Sequence, residues 1–247
     1  MDLSRILELI SKGRTDLVIE LLALPDARDA ITAGQVKPLQ WCAYYNDVTA
    51  MRLVLDRFGE LPDYDVNEEL LNGAYYGHWK VCDFLITQGA NVNTRLLNTG
   101  ETPLHNAIAK ADRPHFVFVV QLLLEHGADV NAKTVAGMET GAFMRDVRTR
   151  GETPLHRAAA YADERIVSLL LEHGADREAR DVNGDSPLSW ASYHLRPAAI
   201  LKMLTFGDYR INDAQVERMK SDHGAGFGNG MDWNFIGAYL PESLDKF

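Results

Sequence analysis

Cysteine is scarce in this chain: Cys42 and Cys82 are the only two among 247 residues. That excludes the disulfide scaffold of small secreted domains, and both cysteines, set among apolar or aromatic neighbours, are expected to be buried free thiols in a reducing compartment. Cationic charge is also short, with 25 Lys and Arg against 35 Asp and Glu and a formal net charge of −10. Non-specific attachment to nucleic acid or to an anionic membrane needs the opposite balance, so neither partner is expected. The opening MDLSRILELISKGR has no basic run followed by an unbroken apolar stretch. Neither a signal peptide nor a membrane span is predicted from it, and a cytoplasmic location is expected.

Motifs that would carry chemistry are lacking too. There is no Gly-x-Ser-x-Gly elbow, no His-Glu-x-x-His helix and no close Cys/His cluster. The glycine-rich run His223 to Gly230 has neither a strand before it nor a Lys-Ser/Thr ending, so it is not a phosphate loop. Asp129, Asn131 and Asp176 do not have the alternating oxygen spacing of a calcium loop, and a role in turns is expected of them. No catalytic residue, metal or cofactor is predicted.

What is present is internal repetition. Gly-Glu-Thr-Pro-Leu-His occurs at 100–105 and again at 151–156, and Leu-Leu-Leu-Glu-His-Gly-Ala-Asp ends both units, at 122–129 and 169–176. A degraded copy runs from Gly184 through Asp185-Ser186-Pro187-Leu188 to Gly207. Each copy reads as a helical hairpin: threonine caps the first helix, proline stands in its first turn where a missing amide hydrogen costs nothing, and glycine closes the second helix. So short a hairpin buries its apolar side only against further copies, which predicts an all-α solenoid.

Fainter copies precede these. One starts near Val36 with Pro38-Leu39-Gln40-Trp41, and another covers Asn67 to Gly89 with Glu69 where proline is expected. Residues 3–24 form a pair without the Thr-Pro-Leu-His entry, as a terminal cap would. The repeat domain is thus expected over 1–207 in about six units, widened near 111–115 and interrupted by an inserted loop at 133–148. Residues 208–247 fall outside the pattern, and their Trp233, Phe235 and Tyr239 predict an extension packed on the last repeat.

With its near-identical double copies, the chain resembles the ankyrin repeat family over about residues 13–207. That resemblance implies stacked antiparallel helix pairs with turns projecting at right angles, protein binding through turn tips and the inner helix surface, and no catalysis. It also implies that the residues ending each first helix, Tyr44-Tyr45, Tyr75-Tyr76, Ala109-Lys110, Ala160-Tyr161 and Tyr193-His194, line one concave stripe. Tyrosines suit interface hot spots, although half of each pair would instead fill gaps between units. Trp41 and Trp190, three residues earlier, face inward or toward the same groove.

The candidate partner-binding set is therefore Tyr44, Tyr45, Tyr75, Tyr76, Lys110, Tyr161, Tyr193 and His194, with Met138, Phe143 and Met144 of the inserted loop read as a recognition finger beside Arg145 and Arg148. Glu101, Glu152 and Asp185, with Asn67 at the matching place, form either an acidic rim for a basic partner or a solvated edge. His105 and His156 are expected to hydrogen-bond between neighbouring turns, and His126 and His173 to sit at helix C-termini. The expected function is an adaptor, monomeric in isolation, that binds another protein with a basic surface. Two alternatives stay open: a ligand pocket under the tail using His194, Asp213, His223, Asp232 and Trp233, and an autoinhibited groove occupied by Trp233 to Leu240.

Overall fold

A computed structural model describes residues 2–32, 37–59, 61, 64–111, 113–142 and 148–206. The predicted extension 208–247, with the alternatives built on it, and Phe143, Met144 and Arg145 lie outside the described residues. Among those described, helices and turns account for all regular structure. Helix α1 (Leu3–Ser11) pairs with α2 (Val18–Ala23), followed by the short α3 (Ala27–Thr32). The later pairs are α4 (Pro38–Tyr44) with α5 (Val48–Phe58), α6 (Val66–Tyr76) with α7 (Trp79–Thr87), α8 (Pro103–Ala107) with α9 (Val117–Glu125), α10 (Pro154–Tyr161) with α11 (Glu164–Glu172), and α12 (Pro187–Tyr193) with α13 (Ala198–Leu204).

Two layers result. The first helices contact one another in sequence, α1 on α4, α4 on α6, α6 on α8, α8 on α10 and α10 on α12, while α2, α5, α7, α9, α11 and α13 stack as the other layer. One continuous core runs between the layers, from Ile6 and Ile10 through Met51, Leu70, Leu85, Leu104 and Leu123 to Leu170, Trp190 and Leu204. In α10, Ala158, Ala159 and Ala160 are all buried. Small side chains there let the neighbouring inner helices approach closely.

The capping chemistry follows the repeated residues. Thr102 accepts from the amide of His105, and Thr153 from that of His156, while each imidazole Nδ1 accepts from the threonine amide in return. That fixes the proton on Nε2, which faces the Glu152 carbonyl at 3.4 Å from His105 and the Asp185 carbonyl at 3.1 Å from His156. Both histidines thus link a unit to the next one. Burial lowers the pKa of His105 well below the ordinary range and that of His156 to about 4, so both are neutral and suited to this role.

A second clasp repeats on the turns. The side chain of Asn93 donates to the Gly127 carbonyl and accepts from the Asp129 amide, and Asn131 does the same with Gly174 and Asp176. These are the turn roles expected of the Asx residues. His126 and His173 each place Nδ1 2.9 Å from the carbonyl four residues back, at the ends of α9 and α11.

The third unit departs from the others where proline is missing. With Glu69 in that place, α6 starts earlier, at Val66, capped by Asp65 through the amide of Asn67. Glu68 and Glu69 therefore lie on helix, in its first turn. At the far end of α6, Gly77 adopts a φ of +77°, and a Cβ there would stand 2.7 Å from the Phe116 ring. Phe116 follows directly on Arg113, Pro114 and His115 of the widened connector, which are exposed, and is itself buried.

Candidate functional site

The inner layer carries a cavity of about 630 Å³ where α1, α4 and α6 meet. Its aromatic lining is Trp41, Tyr44 and Tyr76, all substantially exposed. Tyr44 meets Trp41 edge-on at 6.2 Å and Tyr76 edge-on at 5.1 Å, so the three rings form one connected surface. Tyr75 extends it, 5.4 Å from Tyr76 and half-buried. Onto these rings the chain sets a cation of its own: the Lys110 ammonium lies 4.1 Å from the Tyr75 centroid and 5.3 Å from that of Tyr76. Burial, with a smaller contribution from Arg113, lowers the Lys110 pKa.

Three carboxylates also line the cavity. Glu8 is held by Arg5 and Lys12 in exposed ion pairs. Glu68 is exposed, whereas Glu69 is only 5% exposed. Burial, reinforced by neighbouring Glu68, raises the Glu69 pKa to about 7. Among the described residues, the cation of the lining is Lys37.

The predicted stripe is therefore continuous only in the first half of the array. Tyr45 is surface-exposed on one side, but its ring packs on Gly13 and its hydroxyl donates to the Ser11 carbonyl at 2.9 Å, filling the gap to the cap. Tyr161 is a correction: at 4% exposure it belongs to the core, on a helix whose neighbouring inner residues are alanines. His194 is a second correction, 7% exposed with Tyr193 edge-on at 5.3 Å and half-buried beside it. Neither Tyr161 nor His194 offers a contact surface. Trp41 faces the groove and Trp190 the interior, where its Nε1 donates to Asp181 at 3.0 Å.

The acidic rim is corrected more sharply. Glu101 and Glu152 are buried, and the arginine they bind is the chain's own Arg157, which is 0% exposed. The guanidinium donates through Nε and Nη2 to Glu152 at 2.9 and 2.7 Å, through Nη2 to Glu101 at 2.7 Å, and through Nη1 to the His105 carbonyl at 2.9 Å. Asp185 is half-buried and 3.6 Å from Arg150, and Asn67 accepts from the Asn91 amide.

The insertion is tied into the same cluster. Thr134 and Thr140 donate to Glu152, and the Gly141 amide donates to Glu101. Backbone bonds from Gly137 to Thr149 and from Thr140 to Arg148 bring its two arms together. Arg148, expected beside the recognition finger, is bound to the Ala142 carbonyl and to Glu139. Of the finger's apolar residues, Met138 is exposed and the other two lie outside the described residues. Sequence reasoning missed Leu97, fully exposed at the preceding turn tip, although a Leu-Leu pair just before Asn98-Thr99-Gly100 was its signal. It also missed Glu68 and Glu69 as groove residues, for which the replaced proline was the signal.

A family model described as Ankyrin repeats (3 copies) matches residues 64–134 and 138–215, more than half of the chain. The chain belongs to the ankyrin repeat family. The match begins at residue 64, yet α1/α2 and α4/α5 ahead of it pack in the same two ankyrin layers. Ankyrin repeats are non-catalytic scaffolds that generally mediate protein–protein contacts. Among the described residues no group of three or more His, Cys, Asp or Glu is arranged to hold a metal ion, and no helix is long and apolar enough to cross a membrane. Cys42 and Cys82 are buried free thiols whose pKa burial raises to about 12, so neither has nucleophilic character.

Proposed function

We propose that this ankyrin protein is an adaptor that binds a partner protein through the first half of its inner groove. The observation that carries this is the connected, exposed surface of Trp41, Tyr44 and Tyr76 around the 630 Å³ cavity. Aromatic rings of this kind give large contact area at low entropic cost and carry most of the affinity in protein interfaces. Tyr75 and Lys110 continue the surface toward α8. Glu68 and Glu69, outside any ion pair among the described residues, favour a partner with a basic segment. Exposed Leu97, Val135 and Met138 at the turn tips offer a second, apolar contact.

The test is affinity capture with mass spectrometry from the source cell, followed by titration of each recovered protein against wild type and the Tyr44→Ala/Tyr76→Ala variant. Losing both rings is expected to weaken binding by about 2 kcal/mol or more, roughly 30-fold. Unchanged binding by a folded variant would place the partner site elsewhere.

A further inference from the structure

The groove carries more information than its apolar surface. Glu8 is taken up by Arg5 and Lys12, which leaves Glu68 and Glu69 as the lining's carboxylates outside any ion pair among the described residues. Both stand in a cavity walled by three aromatic rings. Glu69 is placed there by the absence of proline, which lets α6 begin a turn early. Among the described residues no cation lies within ion-pair distance of Glu69, which is only 5% exposed; the Asn72 side chain and the more distant Lys37 favour its charged form without matching the cost of burial. A buried carboxylate facing a cavity is stabilised strongly by a cation that enters.

We propose that this cavity, resting on the groove reading above, seats the guanidinium of an arginine in an extended segment of the partner, stacked on Trp41, Tyr44 and Tyr76 and forked toward Glu68 and Glu69. The chain already sets a cation on the same aromatic surface, since Lys110 lies over Tyr75 and Tyr76. Arginine fits better than lysine for three reasons. Its planar head stacks on rings, its paired donors match a carboxylate, and its weaker hydration lowers the cost of entering an apolar wall. The volume of about 630 Å³ holds the side chain together with residues on either side of it, within the range of sites that take peptide-sized ligands.

The direct probe is acetyl-Gly-Arg-Gly-amide, titrated in parallel with the same tripeptide carrying citrulline, which has the shape without the charge. The readout is the indole Nε1–H resonance of Trp41, assigned with Trp41→Phe, at pH 8 where Glu69 is ionised. A saturable shift with the arginine peptide, about 10-fold weaker with citrulline and abolished in Glu68→Gln/Glu69→Gln, is the expected result. Equal affinity for the two peptides on wild-type protein overturns the proposal whether or not the double variant folds, as does a lysine peptide binding more tightly than arginine. A captured partner that is lost with Tyr44→Ala/Tyr76→Ala but kept with Glu68→Gln/Glu69→Gln overturns the arginine seat and leaves the groove reading standing. A partner indifferent to both variants overturns the groove reading, and the tripeptides then decide the seat by themselves.

Discussion

Truncating Arg157 to alanine removes the cation that two buried carboxylates share. In the intact protein its guanidinium makes four hydrogen bonds, three of them to Glu101 and Glu152 and one to the His105 carbonyl. After truncation both carboxylates keep some donors: Thr134 and Thr140 on Glu152, Thr99 and the Gly141 amide on Glu101. None of these donors carries charge, so two buried anions are left side by side without a counter-charge among these donors. Breaking a buried pair in this way costs about 3–5 kcal/mol. For a chain of this size that is a fall of roughly 6–20 °C in Tm. Urea unfolding followed by circular dichroism measures the loss. Hydrogen exchange should localise it to α8, α10 and the 133–142 arm while α1 to α5 keep their protection, because a stacked array transmits stability only between neighbours. The comparison that isolates charge is Arg157→Met combined with Glu101→Gln and Glu152→Gln, expected to recover most of the deficit. A loss below about 1 kcal/mol for Arg157→Ala, or a neutral triple variant as unstable as the single one, would refute the view that charge compensation holds this junction.

Glu69 supplies a pH test. Its pKa rises from 4.5 to about 7 on folding, so between those values the folded state holds more protons and stability falls as pH rises. Glu69→Gln should flatten that slope and be more stable than wild type at pH 8 by about 2–3 kcal/mol, read from urea midpoints across pH 4.5–8. Leu195 occupies the left-handed region at φ +51° and is exposed, in the place that Gly77 takes three units earlier. Leu195→Gly is expected to stabilise by about 0.5–1 kcal/mol, and a thermal melt showing a loss instead would mean that the leucine side chain makes a packing contribution larger than its strain.

The repeat frame was legible because its signals are local. Threonine before proline, histidine two residues after proline and glycine after the second helix each act on their own few residues, and the structure shows each doing so at Thr102, Thr153, His105 and His156. Side-chain direction at equivalent positions was less legible, since it depends on what the neighbouring unit presents. Tyr45, Tyr76 and Tyr161 share a register, yet one bridges to the cap, one faces the cavity and one sinks among alanines. The buried ionic cluster was missed for a similar reason. Arg157 stands where other units carry Trp41, Asn72, Asn106 and Trp190, and an arginine at that inward position demanded carboxylates nearby. Glu101 and Glu152 were at hand but were assigned outward because they belong to turns.

The insertion's two arms end on the most buried ionic cluster described in the protein, and their anchoring atoms come from Thr134, Thr140, Gly141 and Arg148. Among the described residues, the anchors of the segment lie at 134–142 on one side, where Ala142 itself is buried in the core, and at Arg148 on the other. In that sense the junction is a socket: the charged cluster that locks two repeats together also grips the 133–142 arm, so whatever disturbs Arg157 is felt in the insertion as well as in the helices.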